Sequence, residues 1–90
     1  MYLHLGQSVV VSLKQVVGIF DMENSSIAKS TKAYLAQAQK RGWVVNVCSE
    51  LPKSFIVCEE EGKVTVYISQ ISSITLKKRA GFIDDIANID

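Results

Sequence analysis

The chain has 90 residues, with 48% apolar and 21% charged side chains and a formal net charge of +1. These are the proportions of one globular domain with a modest core, not of a disordered or low-complexity chain. No apolar run approaches the roughly 20 residues of a membrane-spanning helix. The N-terminal stretch lacks a basic region followed by a continuous apolar one, so the expected address is the cytoplasm, with no membrane partner.

In chain order, Tyr2 to Leu5 reads as a first strand closed by Gly6, and Val9 to Val11 as its hairpin partner across a Gly6-Gln7-Ser8 turn. Val16 to Phe20 predicts a third strand, ended by the polar run Asp21 to Ser26. Ile27, Thr31, Tyr34, Leu35 and Ala38 recur on one helical face, which predicts a helix over Ile27 to Arg41 with Tyr34 and Leu35 buried. Asn24 or Ser25 can cap its start, and Gly42 can take the left-handed position that stops it. Trp43 to Cys48, Phe55 to Cys58 and Val64 to Ile68 follow as strands, the last two joined by a tight turn at Gly62. Ser72 or Ser73 can cap a short helix carrying Leu76 to Arg79, and Phe82, Ile83, Ile86 and Ile89 have the spacing of a second short helix in the tail. The pattern predicts a single α+β domain, 1–90, with a small, mostly antiparallel sheet, one main helix and short C-terminal helices. The main helix covers one sheet face, so apolar surface left on the other face calls for a partner, and homo-oligomerisation is expected.

The residues argue against an enzyme. The single histidine, His4, sits in a strand with no partner at catalytic spacing, and no cluster of His, Cys, Asp and Glu has the spacing of a metal site. The glycines are too scattered for a phosphate-cradling loop. No cofactor and no metal are expected. Cys48 and Cys58 lie in apolar strand-like segments and read as buried, reduced thiols.

Charge distribution says more than net charge. No acid lies between Glu23 and Glu50, where Lys29, Lys32, Lys40 and Arg41 fall, or between Glu61 and Asp84, where Lys63, Lys77, Lys78 and Arg79 fall. Lysines on a helix most often only solubilise it, and cations in a last turn complement the helix dipole. Two acid-free basic elements in one small domain also suit an anionic polymer, because phosphate contacts come from clustered Lys and Arg.

The segments "MYLHLG", "VVVSLKQVVGIFD", "PKSFIV" and "VYISQISSITLKKR" together resemble the small extracellular matrix regulatory proteins of the Rem type, nearer the RemB branch than the RemA branch. The resemblance runs along nearly the whole chain, with "ISSITLKKR" its most specific part. It implies a non-enzymatic, cytoplasmic regulator of biofilm extracellular-matrix gene expression. It also implies a subunit similar to the LytTR-type DNA-binding domain. The RemA branch is a DNA-binding activator that assembles into rings, so double-stranded DNA and self-association into a ring or other homo-oligomer are the implied partners. In that branch, arginines after the second strand and in the loop before a later strand contact DNA. Here the first position is Gln15, beside Lys14, and the second region reads "LPKSFIV", with Lys53 as its cation. The expected DNA-binding residues are therefore Lys14, Lys53, Lys77, Lys78 and Arg79, with Lys29 and Lys32 secondary. The alternative is a protein-interaction module that never touches DNA, and a more remote one is an accessory protein for RNA or a membrane surface.

Overall fold

The computed structural model describes residues 1–22, 29–47 and 51–81. Its elements are β1 (Tyr2–Gly6), β2 (Val9–Ser12), a 3-10 turn at Leu13–Gln15, β3 (Val16–Asp21), α1 (Lys29–Lys40), β4 (Val44–Asn46), β5 (Ser54–Glu60), β6 (Lys63–Ser69) and α2 (Ser73–Arg79). The expected α+β architecture is observed.

Strands β1 and β2 form a separate antiparallel ribbon, while the main sheet has the order β3-β5-β6-β4. The β5–β6 hairpin closes with Glu61 at φ 51° and Gly62 at φ 82°, both left-handed, the geometry that matches strand twist in a two-residue hairpin. One pairing departs from the antiparallel rule: β4 lies parallel to β6. Both β3–β5 and β5–β6 are antiparallel, so β3 also runs parallel to β4. Parallel strands need a crossover, and α1 supplies it, with the β5–β6 hairpin filling the space between them.

Alternation along β5 divides the core into two layers. Ile56 and Cys58 pack with Leu3, Leu5, Val11, Ile19, Val47 and Leu76 on the ribbon side. Phe55 packs with Ala38, Val66 and Ile68 on the α1 side, flanked by Leu35, Trp43 and Val44. A bulge in β3 shifts the register between Val16 and Gly18, which lets Val16 and Ile19 face the same layer. On the α1 side, Phe20 stacks on its cross-strand partner Phe55 at 4.9 Å. A Cβ on Gly18 would fall 2.6 Å from the Phe20 ring, so the ring covers that backbone only because glycine is there.

The second sheet face therefore differs from the sequence expectation. It is closed by the chain's own ribbon and by α2, and does not need a partner to bury it. Tyr34 also differs, at 38% exposure, while Leu35 is half-buried. Among the described side chains of the helix, Leu35 and Ala38 pack against the sheet, and Tyr34 sits on the flank of that line.

Helix α1 ends as expected. The amide of Trp43 donates to the Ala38 carbonyl at 2.9 Å and that of Gly42 to Gln39 at 3.2 Å, with Gly42 at φ 76°. This is a Schellman termination, completed by apolar contact between Trp43 and Ala38 in one cluster. Arg41 lies over the Trp43 ring, 5.2 Å from its centroid. Ser72 caps α2, its hydroxyl oxygen accepting from the Thr75 amide at 3.2 Å. Asn24, Ser25, Ile27, Cys48 and the tail from Phe82 lie outside the described residues. Among the described residues no helix is long and apolar enough to cross a membrane.

Candidate nucleic-acid interface

Lys14 stands in the 3-10 turn between ribbon and sheet, where the Ser12 hydroxyl oxygen accepts from its amide at 3.3 Å. This turn leads into β3 at Val16, which pairs with Cys58. Lys53 precedes β5 at the other end of the same ladder, where Asp21 pairs with Ser54. Its backbone is fixed on two sides: the Lys53 amide donates to the Ser69 carbonyl at 2.9 Å, and the Met22 amide donates to the Lys53 carbonyl at 2.9 Å. The 6 residues of β3 span roughly 17 Å, so the two exposed lysines mark opposite ends of one ladder.

Lys77, Lys78 and Arg79 occupy the last turn of α2, on the ribbon side of the sheet. Leu76, fully buried in the ribbon-side cluster, anchors the helix. Lys78 and Arg79 are exposed and Lys77 is half-buried. The Arg79 guanidinium donates to the His4 carbonyl at 3.5 Å, a long hydrogen bond that ties this turn to β1. Lys32 and Lys40 are exposed on α1, and Lys29 is its first residue. Since α1 packs on the opposite sheet face from α2, the two basic elements do not merge into one patch within a subunit. The acidic residues Glu59, Glu60 and Glu61 are exposed at the β5–β6 turn, at the end of the sheet away from Ser54, Ser69 and the start of α2.

The lone histidine serves the ribbon. Its Nε2 donates to the Gln7 carbonyl at 2.7 Å and braces the turn. Burial pushes the Cys58 thiol up to about 11, which keeps it protonated and unreactive at neutral pH. Among the described residues no group of three or more His, Cys, Asp or Glu could hold a metal ion.

Two buried residues were not singled out in the sequence. Ser54 and Ser69 face each other across the β5–β6 ladder, and both are 0% exposed. The available signal was a serine flanking the apolar run Phe55 to Cys58 at its start and another closing the run Val64 to Ile68.

A family model described as "Extracellular matrix regulatory protein A-like" matches residues 2–80. The chain is also 37% identical over 86 residues to Extracellular matrix regulatory protein B of Bacillus subtilis (strain 168), covering 96% of this chain and 98% of that protein.

Proposed function

The chain belongs to the RemA-like family of extracellular matrix regulatory proteins, and from that premise we propose that it is a non-enzymatic, cytoplasmic regulator of biofilm extracellular-matrix gene expression. In this reading it works as a homo-oligomer on duplex DNA, through phosphate contacts. The observation that carries the DNA reading is the last turn of α2. It places three consecutive cations on a helix anchored by Leu76, in a stretch with no acid from Gly62 to Gly81. In this reading Lys53, at the Ser54 end of the β3–β5 ladder, and Lys14, at the opposite end near the acidic β5–β6 turn, add separate phosphate contacts, and Lys29 and Lys32 contribute less, from the other layer.

Oligomerisation fits this distribution. A single subunit carries its basic elements on opposite layers, and a repeated arrangement multiplies weak contacts through avidity. Lysine–phosphate contacts position a protein without reading bases, so sequence preference is low.

The test is a mobility-shift titration against generic duplex over a range of salt. Phosphate neutralisation gives a log–log slope of about −0.9 per contact. The paired substitutions Lys77→Ala with Lys78→Ala, and separately Lys14→Ala with Lys53→Ala, should each weaken binding and flatten that slope while assembly survives. Unchanged binding in both variants refutes this surface.

A second reading, a protein-interaction module, draws on the outer face of the ribbon, where Tyr2 is 73% and Val10 51% exposed beside His4. Absence of duplex binding at low salt favours it.

A further inference from the structure

Helix α2 has only 7 residues, too few to hold a helical conformation by itself in water. What fixes its direction begins at an irregularity in β1. The β1–β2 register passes from His4↔Val10 to Gly6↔Val9, leaving Leu5 without a ladder partner. Leu5 is fully buried, so its carbonyl needs a hydrogen bond from elsewhere. The Ser69 hydroxyl donates to it at 2.7 Å. The same oxygen accepts from the Ile71 amide at 3.0 Å. Across the ladder, the Ser54 hydroxyl donates to the Ile71 carbonyl at 2.7 Å. Both backbone groups of Ile71 are thus held by buried serines, one residue before the Ser72 cap. At the far end of α2, Arg79 reaches the carbonyl of His4, the residue next to Leu5.

Two further contacts tighten this junction. A Cβ on Gly6 would lie 3.4 Å from Val47 and 3.8 Å from Ile71, ordinary van der Waals distances, so the bulge packs directly beside the α2 lead-in. Between the tied ends, Leu76 packs in one cluster with Leu3 and Leu5.

We propose that Ser69, Ser54 and Arg79 are positioning residues that clamp α2 at both ends to the bulged strand β1, and that Lys77 and Lys78 are the groups this clamp presents to a phosphate backbone. The second half rests on the DNA reading above; the clamp does not. It divides a run of three cations by role. One Arg79 N–H reaches a backbone carbonyl of β1, while the two lysines have no such tie to β1. It also makes the ribbon part of the interface it never enters, since the α2 direction is set by the carbonyls of His4 and Leu5.

Amide hydrogen exchange on the full chain tests the clamp. In Ser69→Ala the Leu76 and Ala80 amides, which bond within α2 and its lead-in, should exchange at least tenfold faster relative to those of Ile56 and Val57 in the central strand. Equal acceleration in helix and strand, or none in the helix, overturns the proposal, because the serine would then contribute only general stability. If Ser69→Ala does not fold, Ser54→Ala, which cuts only the tie to the Ile71 carbonyl, decides the question by the same ratio.

Salt titration against generic duplex separates the cations. Lys77→Ala and Lys78→Ala should each reduce the magnitude of the slope by about 0.9. Arg79→Gln should lower affinity severalfold with the slope unchanged and accelerate exchange at Ala80 and Gly81. A slope reduced by about 0.9 in Arg79→Gln would make that residue a phosphate contact and sink its positioning role. Failure of the wild-type protein to bind duplex at any salt removes the role given to Lys77 and Lys78 together with the DNA reading. The exchange ratios then still decide the clamp.

Discussion

The two layers flanking the sheet hold their helices by different means. On one side α1, with 12 residues, rests on Leu35 and Ala38 and is finished by a Schellman turn at Gly42; most of its described side chains face water. On the other side α2, with 7 residues, is fixed by a fully buried leucine, a serine cap and buried hydroxyl bonds to neighbouring strands. Among the described residues, the shorter helix has the more fully buried anchor and the greater number of polar ties to its surroundings. Helix length sets how many backbone bonds a segment can make, but placement comes from what it buries and from polar groups that have no other partner once water is excluded.

The largest expected effect probes that contrast directly. Leu76→Ala should cost about 3–4 kcal/mol in a denaturant titration, because the side chain is fully buried among Leu3, Leu5 and Ile56. Leu35→Ala should cost about 1–2 kcal/mol, since a half-buried leucine removes less apolar area from water. Equal losses would break the comparison.

A second difference concerns pH. Cys58 belongs to the α2-side cluster, and burial raises its thiol from 9.0 to about 11. Below pH 9 both folded and unfolded thiols are protonated, and the stabilising preference for the neutral form is fully present. As pH rises from about 9 to about 11, the unfolded thiol ionises first and that stability is lost. The loss should be on the order of 2 kcal/mol, and Cys58→Val should remove it from the pH dependence of the unfolding midpoint. Tyr67 is raised as well, chiefly by desolvation and then by Cys58 and Glu60, so a smaller alkaline slope should remain in that variant.

Helix ends sharpen the comparison at lower amplitude. Ser72→Ala should cost about 1 kcal/mol through loss of the α2 cap. Gly42→Ala should cost about the same, here through strain at φ 76° with no steric clash, because nothing lies within 4 Å of a Cβ there. Thermal unfolding measures both, and only the serine variant should also speed amide exchange in α2. The smallest expected effect is on the lysines themselves. Lys14→Ala, Lys53→Ala and Lys78→Ala should each change stability by less than about 0.5 kcal/mol, as exposed side chains usually do. A larger loss at any of them would move that lysine from the surface into the structure.

Much of this protein is set by local chemistry and was legible without coordinates. The Gly62 hairpin, the Gly42 helix stop and the Ser72 cap follow from backbone preferences, which need only neighbours in the chain. The family resemblance was equally readable, since it runs in order along the sequence, and the cations of "LKKR" were correctly placed at the end of a short helix. Other features depended on the tertiary structure. Periodicity says which side chains share a face but not what covers it, so the closing of the second face by the chain's own ribbon was out of reach. The exposure of Tyr34, the parallel pairing of β4 and the separation of α1 from α2 by the sheet follow from the same limit. The Ser69 bond to Leu5 joins residues 64 positions apart, and the Arg79 bond to His4 spans 75. The Leu5 partner is chosen once packing buries a residue that the bulge has left without a ladder partner, and the Arg79 bond needs α2 already laid beside β1; no local pattern records either event.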